Sequence, residues 1–551
     1  MIRRVHIENF RSIENCTIEF GNLCAFVGEN NAGKSNILEA LRRVLGERYL
    51  SVSSFSTEDH HEHDDEKDIV IELTFDPPLS HKPFAYGDAA SIPTIRITHT
   101  KYKRATADAG KGDPRLDVAC LNAKGKPVQA LAEAPKKGQQ NRYRPLTSLP
   151  RDVRDQLRAV YLGTDRSLQK QLPSARYSAL RRMLEEVDKA LDSAVVAEGD
   201  EERPTREVFA ERLQSAFDVL RIPEFEKLEE LLREHSLENL GLDPKADADR
   251  LSFRFGPFEA LDFFKAIRLL FKEGDLELDA LQMGHGAQNA LTVAIFQAYE
   301  KLRLSGAIFL IEEPEMFLQP HRRRFFRQTL EKIAERNQVI FTTHSADFVT
   351  VPDFDQVRIV DRPAGGYTQV RSSTLTDSDK LKEKFRKELG VARGELFFAR
   401  HVILVEGDTE RLALPVYAER LGVNLDREGA SVIEVSGKRN LPAFAELVKS
   451  FGIELTVVFD TDASDFRDQR DQEAAFNDKL RALVDSKTRV VELQRNYEDV
   501  VRTTLGEERY QQLCQQHQVS KAIRGRLIAL EVEDEIPAGI ASIFDPWTSG
   551  T

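Results

Sequence analysis

The sequence predicts an α/β protein with two α/β domains, the first interrupted by a mainly helical stretch. Three observations carry this. An apolar strand, Leu23 to Val27, runs into the glycine loop Gly28-Glu29-Asn30-Asn31-Ala32-Gly33-Lys34-Ser35 and then into an amphipathic helix. Short apolar runs, the pattern of buried parallel strands, end in acids at Glu312, Glu406 and Asp460. Between the loop and the first of these runs, residues 151–240 show helical periodicity, as in YSALRRMLEEVDKAL and FEKLEELLREH. A chain of 551 residues has room for about three domains, each with its own core.

Composition narrows the class. At 41% hydrophobic and 31% charged residues, with 30 Gly and 22 Pro, the chain is neither globally disordered nor collagen-like. Cys16, Cys24, Cys120 and Cys514 are far apart with no CxxC pair, so neither a disulfide framework nor a zinc ribbon is expected, and the expected compartment is reducing. No apolar run approaches the roughly 18 residues of a membrane span, and MIRRVHIENF lacks the apolar core of a signal peptide. These features predict a cytoplasmic protein with no membrane partner.

In order, Val5 to Phe10 and Cys16 to Phe20 read as strands before the glycine loop. The segment 58–68, with seven acids and three His, reads as a solvated loop before the strand-like Ile69 to Phe75. Residues 96–151 carry 13 Lys/Arg against 4 acids, a balance of +9 in a chain of net charge −13. With Tyr102 and Tyr143 among them, these residues could bind nucleic-acid phosphates and stack on bases, or could be plain solvated surface. The helical stretch is interrupted by EGDEERP at 198–204. The α/β pattern returns after Leu251, with strands at 307–315 and 339–345. Asp361 to Leu396 is polar and reads as a linker. A second α/β pattern then runs through 401–410, 431–437 and 454–465 to a helical C-terminus. The expected divisions are 1–150 and 251–375 for the two lobes of the first domain, 151–250 for the helical insertion, 376–399 for the linker and 400–551 for the second domain.

The glycine loop matches GxxxxGK[ST] in the context that gives the pattern meaning. Backbone N–H groups around Gly28, Asn30, Asn31 and Gly33 can close on phosphate oxygens, Lys34 can reach the β- and γ-phosphates, and Ser35 can ligate Mg²⁺. At the end of the 308–311 run, Glu312 would hold that ion through water and Glu313 would polarise the attacking water. Thr342-Thr343-His344-Ser345 ends another strand, where His344 could contact the γ-phosphate or serve structure alone. In the second domain, Glu406 followed by Glu410, and Asp460 with Asp462, would converge at one sheet edge. If the strand continued through Asp462, both aspartates would point the same way. Such a cluster suits divalent cations and phosphodiester cleavage.

The succession IENFRS, GENNAGKS, GHGAQ (284–288), FLIEEPE and TTHS resembles the ABC-type ATPase heads of the RecF/SMC group. That resemblance implies ATP as cofactor and ATP-dependent dimerisation, with Gly284, Gly286 and Gln288 contacting the γ-phosphate held by a partner subunit. The chain departs from the pattern in reading GHGAQ for SGGQ and Glu312 for the usual Asp, and the helical insertion is too short for an SMC coiled coil. The EG…DxD arrangement resembles the Toprim domain. An ABC-type head followed by Toprim resembles the OLD (overcoming lysogenisation defect) nuclease family over most of the chain.

Membership in that family implies a divalent-metal-dependent DNA endonuclease or nickase, with double-stranded DNA as substrate and a homodimer or higher homo-oligomer as assembly. It also implies an accessory defence protein as partner and a role in phage defence or DNA repair. Two ions, Mg²⁺ with Mn²⁺ or Ca²⁺ as substitutes, would be held by Glu406, Glu410, Asp460, Asp462 and Glu498, and Lys521 would steady the transition state. Where family members read LHP after the strand acids, this chain reads Leu318-Gln319-Pro320, so any role of that histidine is absent or falls to His321. The competing expectation is an ATP-gated DNA clamp or sensor whose Toprim domain has lost catalysis.

Overall fold

The first strand organises the N-terminal sheet. In the computed structural model, β1 (Ile2–Phe10) pairs antiparallel with β2 (Ile13–Glu19) and with β4 (Ile69–His81). With β5 (Ala90–Lys101) and β6 (Pro114–Leu121) the order is β2-β1-β4-β5-β6. Alternation decides its faces: Ile69, Ile71, Leu73 and Phe75 are buried, while Glu72 between them meets Arg96 across the strands at 2.6 Å. The hairpin of β7 (Gln129–Leu131) and β8 (Tyr143–Pro145) follows. The structure describes the chain apart from residues 47–49, 85–87, 107–108, 135–140, 158, 166, 176–177, 199–200, 220–221, 247–249, 251–259, 274–275, 303, 364–365, 376–381, 384, 386–390, 463–466, 533–535 and 549–551.

Two units emerge, one of Met1–Ala159 with Ser305–Thr551, the other of Val160–Leu304. The smaller unit begins within β9 (Ala159–Leu162) and is mainly helical, with helices Ala179–Ala190, Thr205–Val219, Pro223–Asn239 and His285–Lys301. It also holds two antiparallel strand pairs, β10 (Val195–Glu198) with β11 (Glu201–Pro204) and β12 (Leu270–Glu273) with β13 (Leu276–Asp279). The acidic interruption at 198–204 thus supplies β11 and is not merely a break. Short strands rich in charge carry no periodicity to reveal them.

In the larger unit β3 (Leu23–Val27) is central to a parallel sheet. Beside it lie β14 (Ile308–Glu312), β15 (Gln338–Thr343), β16 (Val357–Asp361) and the antiparallel edge strand β17 (Gln369–Ser372), in the order β17-β16-β3-β15-β14. The register pairs Glu312 with Thr342 and Thr343 with Val27, so three strands release their chains at one level. Gln338 joins this sheet to the first one: its Oε1 accepts from the Ile2 N–H at 2.9 Å and its amide donates to the Ile2 carbonyl at 2.6 Å.

β17 corrects the linker expected at 361–396. Thr368, Phe385, Leu396 and Phe397 are buried, Phe385 lying edge-on to Phe354 and Phe444, and Phe397 edge-on to Phe451. Apolar residues set singly among polar ones escape a reading that looks for runs. Most of 376–390 lies outside the described residues.

A second correction concerns 58–68. Asp59, His60 and His61 are buried, not solvated. Asp59 accepts from Arg11 at 2.9 Å, His61 bonds the Arg11 carbonyl at 2.7 Å, and His60 and His99 share a 3.0 Å hydrogen bond. Partners some 40–50 residues away supply the burial that the local composition conceals.

The C-terminal sheet is wholly parallel. β18 (His401–Val405), β19 (Ala430–Glu434), β20 (Glu454–Asp460) and β21 (Thr488–Leu493) stand in the order β19-β18-β20-β21. β18 is buried at every position, which explains its continuous apolar run. Val405, Tyr417, Val458, Leu493 and Ile528 belong to one core, with helices Asp408–Arg420 and Lys521–Glu531 packed together. Among the described residues no helix is long and apolar enough to cross a membrane.

Candidate functional site

The first acid-lined edge grows from the glycine loop. Gly28 and Gly33 have φ of +142° and +108°, and a Cβ at Gly33 would lie 2.1 Å from the Thr368 Oγ1. Thr368 holds the loop from below: its hydroxyl donates to the Ala32 carbonyl at 2.9 Å and lies 2.7 Å from the Ser12 Oγ, which accepts from Asn36. Helix Lys34–Leu45 begins at once, with Asn30, Asn31 and Ser35 exposed around its N-terminal end. Lys34 is buried and donates to the carbonyls of Gly28 at 2.9 Å and Glu29 at 2.7 Å. Burial brings its pKa down to about 8, partly opposed by Glu313, Glu315 and Glu29.

Glu312 ends β14, and Glu313 follows with a φ of +45° and its N–H on the Thr342 carbonyl at 2.9 Å. That turn brings Glu313 to His344, with Oε1 and Nε2 3.5 Å apart, so the two predicted groups do meet. Burial and the nearby Lys34 lower the His344 pKa, which favours the neutral ring. Glu315, not singled out from the sequence, is buried and positions His344: its Oε1 accepts from the His344 N–H at 2.7 Å and the Thr343 hydroxyl at 2.9 Å. Glu29 makes a bidentate pair with Arg400, at 2.5 and 2.8 Å, one residue before β18. This contact ties the loop to the second α/β domain.

In the smaller unit Gly284 caps helix His285–Lys301, and Gly284 and Gly286 are exposed. The Gln288 amide donates to the carbonyls of Leu281 and Met283 at 3.0 and 2.8 Å, which shapes the turn ahead of the helix.

The second acid-lined edge lies at the C-terminal ends of β18, β19 and β20. Glu406 accepts the Asp460 N–H at 2.7 Å, and its own carbonyl accepts from Gly437 at 2.8 Å, so one residue ties three strand ends. Glu410 is buried in the first turn of helix Asp408–Arg420, where the helix dipole favours an acid. Burial raises the Glu406 pKa to about 7 and also raises that of Glu410. For Asp460 burial, reinforced by Glu406, Glu410, Asp462 and Glu498, brings it to about 8.

Asp462 departs from expectation. β20 ends at Asp460, and Asp462 has a left-handed φ of +45°, so strand alternation does not align the two aspartates. Its N–H goes to the Arg495 carbonyl at 2.9 Å, and its Oδ2 accepts from Lys438 at 2.9 Å. Glu498 and Lys521, assigned by resemblance, are brought together at 3.0 Å, with Lys521 66% exposed. Helix Lys521–Glu531 can come this close because residue 525 is glycine: a Cβ there would stand 2.7 Å from Thr409. Lys438, Glu473 and Arg400 were missed, since each acts through tertiary contacts and none belongs to a motif.

Among the described residues no three His, Cys, Asp or Glu side chains are arranged to hold a metal ion as they stand. The donor chemistry nevertheless suits one. Buried carboxylates that raise one another's pKa are hard oxygen ligands whose repulsion a divalent cation relieves.

Two parallel-sheet edges, one with a phosphate loop and one with an EG…DxD cluster, define an ABC-type ATPase head joined to a Toprim domain, a class that uses a nucleotide and a divalent metal. Family models agree: residues 1–143 match an AAA ATPase domain, 149–350 an AAA domain described as a putative AbiEii toxin of a type IV toxin–antitoxin system, and 397–462 the Toprim domain of overcoming lysogenization defect protein-like proteins. In chain order, two AAA domain matches are thus followed by an OLD-like Toprim match. The chain is 29% identical to the OLD nuclease of Thermus scotoductus over 86% of this chain and 84% of that protein. Against endonuclease GajA of Bacillus cereus the identity is 21%, covering 79% and 70%. A solved Smc head domain from Pyrococcus furiosus overlaps 70% of this chain and 99% of its own, at 16% identity and a TM-score of 0.36.

Proposed function

We propose that this chain is an ATP-hydrolysing, divalent-metal-dependent DNA endonuclease of the OLD type. One observation carries the nuclease half: Glu406, Glu410 and Asp460 are crowded at one sheet edge with raised pKa values, an arrangement that favours a bound cation. In this reading Glu406, Asp460 and Asp462 hold the ion, Mg²⁺ or Mn²⁺, after side-chain rotation, with Glu410 and Glu498 completing the set. When bound, such an ion neutralises the phosphodiester and makes water a better nucleophile. Lys521, exposed and held by Glu498, is free to swing toward a leaving oxygen.

At the other edge Lys34 exchanges its carbonyl partners for the β- and γ-phosphates of ATP, Ser35 and Glu312 serve Mg²⁺, and Glu313 orients water beside His344. Gly284, Gly286 and Gln288 meet the nucleotide of a second copy, which makes the working form a dimer. In this reading the ATPase lobes would comprise 1–150 and 251–375, the insertion 151–250 and the Toprim domain the residues from 400. Double-stranded DNA would lie along the basic segment, where Lys124, Lys126, Arg142, Tyr143 and Arg144 are exposed.

The test is a supercoiled-plasmid assay across Mg²⁺, Mn²⁺ and Ca²⁺, with and without ATP. Asp460→Ala is expected to abolish nicking while ATP turnover persists. Undiminished cleavage by that variant would refute the assignment, and cleavage by neither protein in any metal would favour the ATP-gated DNA clamp.

A further inference from the structure

A lysine side chain is seldom buried unless partners replace its water. Lys438, only 7% exposed, follows Gly437 just beyond β19. Its ammonium donates to the Asp460 carbonyl at 2.5 Å, to Asp462 Oδ2 at 2.9 Å and to Glu473 Oε2 at 3.4 Å, and lies 5.5 Å from the centre of the Phe459 ring. An ammonium has three N–H donors, and these three acceptors use them all. Glu473 is itself paired with Arg439, whose guanidinium stacks 4.3 Å from Phe476. The cation is therefore anchored from behind and committed in front.

We propose that Lys438 is a positioning residue of the nuclease site, holding Asp462 in its left-handed conformation and locking it to the end of β20. The proposal rests on the nuclease reading and adds a residue to it. A carboxylate has two oxygens; with Oδ2 on Lys438, Oδ1 remains to ligate an ion. Metal-binding carboxylates are commonly held in this way, and loss of the holder typically reduces metal affinity or activity about 10- to 100-fold. Lys438 does not contact substrate, because its donors are used and its ammonium is buried. Lys521 on the other flank has the opposite character, being exposed and paired only through Glu498 among the ion pairs described here. The two lysines divide the work: one sets a ligand, the other is available to the reacting phosphate.

The experiment uses the full chain with Lys438→Met, which keeps length without charge, and Lys438→Arg. Mn²⁺ binding is read from the free-ion EPR signal, nicking from plasmid conversion over a Mn²⁺ series, and ATP turnover from the same preparations. The expected result for Lys438→Met is Mn²⁺ binding weakened about 10- to 100-fold, with slower nicking at saturating Mn²⁺ and unchanged ATP turnover. Lys438→Arg is expected to recover part of both losses. If Lys438 only offset nearby negative charge, Lys438→Met would bind Mn²⁺ more tightly and nick at the wild-type rate, which overturns the proposal. Loss of ATP turnover in parallel with nicking in both variants overturns it too, by showing a fold defect. If the wild-type chain nicks in no metal, it is the nuclease reading that fails.

Discussion

The glycine-loop edge and the Toprim edge share a plan, parallel strands that release acids at their C-terminal ends, yet they are set for ligands of opposite charge. At the first, the buried Lys34 ammonium donates to neutral carbonyls beside the N-terminal end of helix Lys34–Leu45, so phosphate can take over the ammonium. At the second, the lysine is bonded to carboxylates and to a carbonyl, and although its charge partly offsets the rise at Glu406, burial keeps the pKa values of Glu406, Glu410 and Asp460 raised. In the proposed reading, the partners of one lysine at the strand ends distinguish the edge that takes an anion from the edge that takes a cation. Fold alone would not distinguish the two edges.

The largest effect should come from removing the cation at the anion-binding edge. Lys34→Ala is expected to abolish ATP binding and turnover while Mn²⁺ binding at the Toprim edge persists; nucleotide titration and free-ion EPR on one preparation check both. With Asp460→Ala this forms a crossed pair. If Lys34→Ala left ATP turnover unchanged, the first edge would not be the nucleotide site.

A pH experiment sharpens the contrast. Glu406 and Asp460 titrate near 7 and 8 in the folded chain, against about 4 for such groups in an unfolded one. The folded state then holds more protons between those values, so these two carboxyls progressively destabilise it as pH rises from about 4 to about 8. Thermal unfolding without divalent ions should show this loss, and added Mn²⁺ should restore stability most at the alkaline end. Mn²⁺ stabilisation that does not change with pH would count against the crowded carboxyls as its site.

Both edges were legible in the sequence to the extent that their chemistry is local. GENNAGKS, Glu312-Glu313, Glu406-Gly407 and Asp460 each sit where an apolar strand meets a loop, and a strand end is visible in one stretch of chain. The residues that hold those groups were not legible. Thr368 braces the glycine loop from more than 330 residues away, Glu315 reaches His344 from the adjacent strand end, and Lys438 reaches Asp462 across the end of β18, which lies between their strands. The condition for aligning Asp460 with Asp462, a strand running through both, is not met, because pairing ends at Asp460 and a left-handed residue follows at Asp462. The sequence shows which groups can react; the tertiary fold decides what aims them.

The smallest effect tests whether the two edges communicate. Arg400 grips Glu29 with two hydrogen bonds, which lower the Glu29 pKa and raise that of Arg400, but both side chains are more than half exposed. Such a pair contributes about 0–1 kcal/mol, so Arg400→Ala should weaken ATP binding by no more than about fivefold and barely move the melting temperature. Its informative consequence lies elsewhere. Glu29 also supplies a carbonyl to Lys34, and Arg400 directly precedes β18, which delivers Glu406. If this pair transmits nucleotide binding to the Toprim edge, Arg400→Ala and Glu29→Ala should each reduce the difference in nicking rate with and without ATP, and the double variant should reduce it no further than either single one. Additive losses would mean that the two residues act separately, and an unchanged ATP response in all three variants would leave the pair as a surface contact between two independent edges.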